Sequence, residues 1–155
     1  MSMKRKSMFK KIIEKIYLSF SDNLVYLDSV TGCRTIFYFD KVLRKKFNSK
    51  ECCVVFIDVN NLKYHNDTFG HYEGTQLIKK ITNSLLKLDN IYDICRIGGD
   101  EFLMICNMDF NDKQLDSIEN ISYGMVFKDK DTNLDSAIIE ADKKMYKMKR
   151  KIKKK

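Results

Sequence analysis

Short apolar runs alternate with amphipathic stretches along most of this 155-residue chain. The apolar, β-branched run at residues 52–58 predicts a buried strand, and residues 92–97 and 102–106 predict the two strands of a hairpin around a pair of glycines. Residues 121–127 predict a fourth strand. Apolar residues at helical spacing predict helices at residues 36–46, 75–88, 111–119 and 134–148.

The order of these elements is strand, helix, hairpin, short helix, strand and helix. This βαββαβ order predicts an α+β fold of the ferredoxin-like or polymerase-palm type, in one domain that covers residues 23–155. Residues 1–22 are predicted to form a basic amphipathic helix, with an apolar stripe between Met8 and Leu18. Such a helix either packs on its own domain or contacts an anionic membrane surface as a peripheral anchor, and the pattern does not decide between the two.

Composition and cysteine usage limit the class of protein. Apolar residues make up 44% of the chain, which is typical of a globular domain and excludes wholesale disorder. No apolar run approaches the ~20 residues that span a membrane, and the basic start lacks the apolar stretch of a signal peptide. The five cysteines are an odd number without framework spacing, which argues against a disulfide scaffold. We therefore expect a cytoplasmic protein.

The formal net charge of +8 comes from the two ends of the chain. Residues 143–155 contain nine Lys or Arg residues and no acidic residue, whereas the centre of the chain is acidic. This distribution predicts a metal-binding core with cationic ends. The C-terminal run carries a single aromatic residue, Tyr146, so nucleic-acid binding is not expected.

The sequence Gly98-Gly99-Asp100-Glu101-Phe102 lies at the turn of the predicted hairpin. The two glycines permit a tight turn and allow a phosphate-bearing ligand to approach the backbone. Asp100 and Glu101 then lie at the hairpin tip, where carboxylates can hold Mg²⁺ or accept a proton. For this pentapeptide alone, the alternative is a surface turn with two solvated acids.

Four further motifs accompany this turn along residues 28–150. They are Asp28-Ser-Val-Thr-Gly32, the strand end at Asp58 with residues 60–67, Thr68-Phe-Gly-His-Tyr-Glu-Gly74, and Glu140-Ala-Asp-Lys-Lys-Met-Tyr-Lys-Met-Lys149. With these motifs, the chain resembles the GGDEF family of diguanylate cyclases. The resemblance implies a nucleotidyltransferase that condenses two GTP molecules into cyclic di-GMP and releases pyrophosphate.

The resemblance also implies cofactors and partners. Two Mg²⁺ (or Mn²⁺) ions per active site would be required, and catalysis would require a homodimer in which each subunit presents one nucleotide to the other. By the same resemblance, the N-terminal helix is a candidate for dimerisation or for relaying a signal from a sensor partner.

Individual residues acquire roles from the same resemblance. Asp58 and Glu101 would bind the metal ions together with the backbone carbonyl of Val59. Asp100 would act as general base or as electrostatic support near the attacking hydroxyl. The other predicted positions are the phosphate contacts Lys63, Lys149 and Lys153 and the motif turn Gly98 and Gly99.

Base recognition departs from the usual pattern of the family. Asn66 matches the guanine-reading asparagine, but Thr75 stands where the family has an aspartate. A hydroxyl is a weaker acceptor than a carboxylate and tolerates adenine. One alternative is therefore a hybrid enzyme that makes cyclic GMP–AMP from GTP and ATP. The other is that Thr75 weakens guanine binding without changing the product.

Two further departures concern segments on either side of the hairpin. The segment at residues 107–120 is shorter than is usual in the family, so its helix should be reduced to a turn or two. This shortening keeps open a catalytically inactive receptor for GTP or a dinucleotide. The family's product-binding Arg-x-x-Asp corresponds to residues 90–93, which end in Asp93 and lack the arginine, so feedback inhibition is not expected.

Overall fold

Five strands form one sheet in the computed structural model, which describes residues 25–153. The strands are β1 (Arg34–Thr35), β2 (Cys52–Val59), β3 (Ile91–Arg96), β4 (Glu101–Cys106) and β5 (Ile121–Lys128). Their order across the sheet is β1-β3-β4-β2-β5. β1 runs parallel to β3, and the other neighbouring pairs are antiparallel. The predicted helix at residues 1–22 lies outside the described residues.

The predicted α+β fold is confirmed. Strands β2 to β5 are connected in the βαββαβ manner, and their order β3-β4-β2-β5 is that of a ferredoxin-like or palm sheet. β3 and β4 form the predicted hairpin. β1 is absent from the sequence prediction because two residues are too few to produce a recognisable alternation.

Helices cover both faces of the sheet. The helices are α1 (Ile36–Tyr38, with the π-helical turn Phe39–Leu43 and Arg44–Phe47), α2 (Leu62–Phe69), α3 (His71–Leu85) and α4 (Leu134–Lys153). α3 packs on one face of the sheet through Ile78, Ile81 and Leu85. α1 and α4 pack on the other face, with Leu43 and Met145 in its core. None of the helices within residues 25–153 combines the length and apolarity that a membrane span needs.

The helices differ from the sequence prediction most clearly in α2 and α3, and α4 also continues past residue 148 to Lys153. α2 is not predicted, because its polar sequence has no buried side chain. α3 begins at His71 instead of residue 75, since Gly70, with φ near +90°, ends α2 and lets the next helix start at once. The segment 107–120 contains only the 3₁₀-helix Asp112–Ser117, which confirms the expected reduction.

α4 packs unusually closely on the edge strand β5. A Cβ built on Gly124 would collide with the carbonyl oxygen of Ala141 and with the backbone nitrogen of Met145. Glycine is therefore required for this approach of helix and strand. The close contact fixes where the last turns of α4 lie relative to the sheet.

Candidate functional site

The ends of two central strands bring acidic side chains together. Asp58 on β2 lies directly opposite Glu101 on β4 in the antiparallel register. Asp58 is buried, and Glu101 is half-buried. The N–H of Val59 donates a 2.8 Å hydrogen bond to the carbonyl oxygen of Asp100, which continues the pairing into the hairpin turn. The structure therefore brings together the acids that the sequence singled out.

The glycine turn shapes the space around Glu101. The N–H groups of Ile97 and Gly98 both donate to the carbonyl oxygen of Glu101, at 2.9 and 3.3 Å. A Cβ built on Gly98 would lie 2.7 Å from Oε2 of Glu101, so a larger residue would displace the carboxylate. Gly99 has open space where its Cβ would be. The first glycine thus leaves room for this position of the Glu101 carboxylate, and the second leaves the backbone accessible to a ligand.

An ammonium group from α4 neutralises part of this acidic pair. Nζ of Lys149 lies 2.6 Å from both carboxylate oxygens of Asp58. One residue earlier, Sδ of Met148 accepts a 3.3 Å hydrogen bond from the N–H of Tyr123, which holds this turn of α4 against β5. The basic last turn also interacts favourably with the helix dipole.

Burial and mutual repulsion act on both carboxyl groups. Burial raises the pKa of Asp58, and the Lys149 ammonium opposes that rise. Burial also raises the pKa of Glu101, and the carboxylates of Asp100, Asp58 and Asp142 raise it further. Glu101 therefore lies in a region of negative charge that Lys149 neutralises only in part.

The opposed carboxylates of Asp58 and Glu101 suit a divalent cation whose remaining coordination positions are filled by water or by a bound ligand. Within residues 25–153, no three His, Cys, Asp or Glu side chains are grouped to hold a metal ion. Asp58 and Glu101 nevertheless form an opposed pair of carboxylates. Mg²⁺ is commonly held by one or two carboxylates, with waters and substrate phosphates completing its coordination. Burial raises the pKa of Glu101 most and the neighbouring carboxylates raise it further, and a bound cation would stabilise the charged form against both effects.

A cavity of about 220 Å³ lies beside the hairpin turn. Its lining includes Leu62, Asn66, Thr75, Ile78, Arg96 and Gly99. Apolar walls with a few polar groups are typical of small-molecule sites. Because Gly99 is part of both the cavity wall and the glycine turn, a ligand in the cavity would contact the turn that leads into Asp100 and Glu101.

The two predicted base-reading residues meet at the contact between α2 and α3. A Cβ built on Gly74 would collide with the side chain of Asn66, so the asparagine packs directly against α3. Thr75 follows this contact, and its hydroxyl donates a 2.9 Å hydrogen bond to the carbonyl oxygen of His71. Because that proton is engaged, Thr75 can offer the cavity only the acceptor lone pairs of its hydroxyl.

Sequence analysis missed an arginine that joins the first motif to the hairpin. Arg96 donates to Oδ1 of Asp28 at 3.0 Å and to the carbonyl oxygen of Gly99 at 2.7 Å. Although burial acts in the opposite direction, hydrogen bonds from Thr31 and Arg96 hold the pKa of Asp28 below its ordinary value. A signal was available in the sequence, since Arg96 lies two residues before the glycine pair.

The other predicted phosphate contacts lie at the periphery of this region. Lys63 and Lys153 are both exposed. Lys63 follows Leu62, which lines the cavity. Lys153 ends α4 and is near enough to Asp58 to favour its charged form, although burial of Asp58 has the larger effect on that pKa.

Asp93 has a cationic neighbour that the sequence did not indicate. Nε of Arg34 on β1 lies 3.7 Å from Oδ1 of Asp93. The same guanidinium stacks over the ring of Tyr38, 4.4 Å from its centroid. Residues 90–93 nevertheless lack the arginine of the family's product-binding motif, so the absence of feedback inhibition stays a prediction.

Comparison with known proteins places this chain in a family. A sequence profile described as diguanylate cyclase, GGDEF domain, matches residues 25–120. The chain is 33% identical over 89 residues to the probable diguanylate cyclase DgcT of Escherichia coli K12, which is 55% of this chain and 20% of that protein. It is 31% identical over 88 residues to the cyclic di-GMP phosphodiesterase PdeR of the same strain, 54% of this chain and 13% of that protein. The chain thus spans a small part of the length of these relatives.

The fold agrees with a solved structure of the same kind. The coiled coil and GGDEF domain of DgcB from Caulobacter crescentus, crystallised in complex with c-di-GMP, has a TM-score of 0.80 to this chain. The two are 20% identical, and the match covers 94% of this chain and 92% of that one. This likeness establishes the fold, and the profile match over more than half of the chain establishes the family. The chain belongs to the GGDEF-domain family.

Proposed function

We propose that this chain is a diguanylate cyclase, which joins two GTP molecules into cyclic di-GMP and releases pyrophosphate. The observation that carries the proposal is the register pairing of Asp58 with Glu101 beside a cavity of about 220 Å³. Phosphoryl transfer needs carboxylates for metal ions, cationic groups for the leaving pyrophosphate and a place for the base. Groups of all three kinds lie in this one region.

Asp58 and Glu101 would hold Mg²⁺ or Mn²⁺, and Val59 would add its backbone carbonyl. When bound, two such ions would activate the attacking 3′-hydroxyl and neutralise charge on the leaving pyrophosphate. Asp100 adjoins both acids and would accept the proton of that hydroxyl or stabilise the charge that develops there. Gly98 leaves room for the Glu101 carboxylate that this role requires.

Three lysines would bind the triphosphate. Lys149 and Lys153 extend from the last turns of α4, and Lys63 lies in the first turn of α2. Ammonium groups near the leaving pyrophosphate stabilise the charge that builds up on it. Lys153 would act as a point charge, because an ammonium cannot make the bidentate contact of an arginine.

Asn66 and Thr75 would read the base in the cavity. The side-chain amide of Asn66 offers guanine both a donor and an acceptor. The Thr75 hydroxyl donates a hydrogen bond to the backbone carbonyl oxygen of His71, so towards the base it can accept a hydrogen bond from one N–H group. The amino group of adenine can satisfy this acceptor as well. That observation favours a second candidate function, the synthesis of cyclic GMP–AMP from GTP and ATP.

Cyclisation joins two nucleotides, whereas in the part of the chain that the structure describes the hairpin turn has one acidic pair and one cavity beside it. We therefore propose a homodimer in which each subunit presents its nucleotide to the acids of the other. Residues 1–22 are proposed to contribute to this dimer, or to connect the domain to a sensor partner or a membrane surface. Their amphipathic pattern supports either arrangement.

Product analysis tests both candidate functions. The full chain is incubated with Mg²⁺ and GTP, with ATP, or with an equal mixture, and products are identified by mass. Cyclic di-GMP from GTP alone supports the first candidate, and cyclic GMP–AMP from the mixture supports the second. A folded protein that binds GTP and forms no cyclic dinucleotide would instead be a nucleotide receptor, and the cyclase proposal would fail.

A further inference from the structure

Two lysines of this fold make contrasting contacts. Lys128 is 1% exposed, and its ammonium group donates to the carbonyl oxygens of Lys50 and Asp129 at 2.7 and 2.8 Å. Both acceptors belong to the backbone, so Lys128 is a permanently structural lysine. Lys149 instead donates to both oxygens of one carboxylate, that of Asp58, and its side chain is 24% exposed.

The carboxylate that Lys149 covers is the one proposed to bind metal. Among the residues that the structure describes, the hydrogen-bond donor to both oxygens of Asp58 is Lys149 alone. A divalent cation bound by Asp58 would use the same two oxygens. The ammonium group, 2.6 Å from both of them, therefore competes with such a cation by position and by charge.

Asp58 requires a positive partner in the folded protein. Its side chain is 7% exposed, and Glu101 lies directly opposite it as a like charge. A buried carboxylate without a partner is strongly destabilising. Lys149 supplies that partner when no metal is bound. Its flexible stem and partial exposure allow its ammonium group to move into solvent or towards a ligand when another cation arrives.

We propose, on the basis of the proposed cyclase function, that Lys149 is an exchangeable counter-ion of Asp58 that competes with the metal. Without metal, the ammonium group pairs with Asp58 and keeps the empty site stable. When a divalent cation binds, it takes over the carboxylate, and the released ammonium group becomes available to the phosphates. Molecules in which Lys149 pairs with Asp58 are not ready to bind the metal. The apparent metal affinity is therefore reduced in proportion to the population of such molecules.

Mn²⁺ binding to the full chain tests this exchange. Free Mn²⁺ is measured by electron paramagnetic resonance with no nucleotide present. Lys149→Met keeps the stem but removes the ammonium group, and should bind Mn²⁺ about tenfold or more tightly than wild type, as expected when a competing charge-assisted hydrogen bond is lost. Lys147→Met removes the same charge from an exposed position on the same turn, and should change the affinity by less than about twofold.

A second measurement tests the exchange in a protein that keeps its ion pair. Nitrogen-15 spectra of lysine ammonium groups are recorded during a Mg²⁺ titration, with the Lys149 signal assigned from Lys149→Arg. The Lys149 signal should shift as Mg²⁺ binds. The Lys128 signal should stay in place, because its carbonyl partners do not change, and it is the internal control.

The outcomes separate this proposal from the proposed function. Unchanged or weaker Mn²⁺ binding by folded Lys149→Met, or a Lys149 signal that does not move while Mg²⁺ binds, overturns the exchange. If wild type still forms a cyclic dinucleotide in that case, the cyclase proposal stands and only the exchange fails. If neither wild type nor Lys149→Met binds Mn²⁺ at millimolar concentration without nucleotide, the exchange is overturned, and product analysis decides the cyclase proposal separately.

Discussion

Arg96 and Asp28 are joined by a 3.0 Å hydrogen bond between Nη1 and Oδ1, although 68 positions separate them in the sequence. The same guanidinium donates a 2.7 Å hydrogen bond to the carbonyl oxygen of Gly99. A planar donor with several N–H groups suits both contacts at once. The hairpin that carries the acids is thereby held against the start of the domain.

Arg96→Lys should destabilise the domain and weaken nucleotide binding. One ammonium group cannot replace both contacts, so we expect the free energy of unfolding to fall by about 1–2 kcal/mol. Because Arg96 also lines the cavity, KM for GTP should rise more than kcat falls. Urea denaturation and initial rates measure the two effects.

Arg44→Lys is the matched control for this change. Arg44 also pairs with two acids, Asp40 and Asp135, but its side chain is more exposed than that of Arg96 (37% against 16%) and does not line the cavity. Its replacement should cost less than about 0.5 kcal/mol and leave KM unchanged. Equal losses in the two variants would show that the link from Asp28 to the hairpin has no special role.

Asp58→Asn and Glu101→Gln should each abolish product formation in a folded protein. Each removes one carboxylate of the proposed metal pair, which should cost several kcal/mol of transition-state stabilisation, or about 10²-fold or more in rate. Product is quantified by mass after incubation with GTP and Mg²⁺. Asp109→Asn, at an exposed position, should retain wild-type turnover. Near-normal turnover by either site variant would contradict the metal assignment.

Glu101→Gln should also make the metal-free protein more stable at neutral pH. Burial and the neighbouring carboxylates raise the pKa of Glu101 in the folded state. The wild type therefore loses stability as the pH rises from the ordinary glutamate pKa through the raised one. The variant lacks this loss, so it should be about 0.5–1 kcal/mol more stable at pH 7 and no more stable near pH 4.

Urea denaturation in the presence of a chelator, repeated between pH 4 and pH 7.5, measures this difference. Excess Mg²⁺ should reduce it, because a bound cation stabilises the wild-type carboxylates. Asp131→Asn, which removes an exposed acid on the loop before α4, is the control for the loss of one negative charge far from the site. A wild type that is more stable than Glu101→Gln at neutral pH without metal would refute the electrostatic argument.

Thr75→Asp should shift base preference towards GTP. A carboxylate accepts from two guanine N–H groups, whereas the Thr75 hydroxyl already donates to His71 and offers a weaker acceptor. Hydrogen bonds to charged groups contribute roughly 1.5–3 kcal/mol, which corresponds to about 10- to 150-fold in preference. The product ratio at equal GTP and ATP concentrations measures the shift.

Thr75→Val separates hydrogen bonding from packing in the same assay. Valine keeps the shape of threonine but has no acceptor, so both bases should bind more weakly and the product ratio should move little. If wild type makes only cyclic di-GMP and neither variant changes the ratio, selectivity is set by other residues.

Gly124→Ala should displace α4 from β5. The added Cβ meets the backbone of Ala141 and Met145, which cannot rotate away as a side chain can. We expect a loss of about 1–3 kcal/mol in the free energy of unfolding. Because α4 carries Lys149, turnover should fall further than the population of folded protein. Ile139→Ala, at an exposed position on the same helix, is the control and should change neither quantity by much.

Local patterns were sufficient for most of the fold. The apolar run at residues 52–58 and the glycine pair before Asp100 predicted β2 and the β3–β4 hairpin, because strand alternation and turn chemistry depend on neighbouring residues. They could not predict α2, whose side chains are not buried and leave no apolar stripe. The family followed from motifs that occur in order along the chain, and the profile match confirms it.

The sequence by itself determined which residue types were available for chemistry, with acids at strand ends, glycines at the turn and lysines in the last helix. Only the tertiary structure decided which of them meet. The β2–β4 register sets Asp58 opposite Glu101, and the approach of α4 over Gly124 brings Lys149 to Asp58 from 91 positions away. Arg96 meets Asp28, and Arg34 meets Asp93, for the same reason. Such pairs depend on sheet order and helix packing, which bring distant segments together. Neither segment has a periodic sequence pattern that indicates its partner.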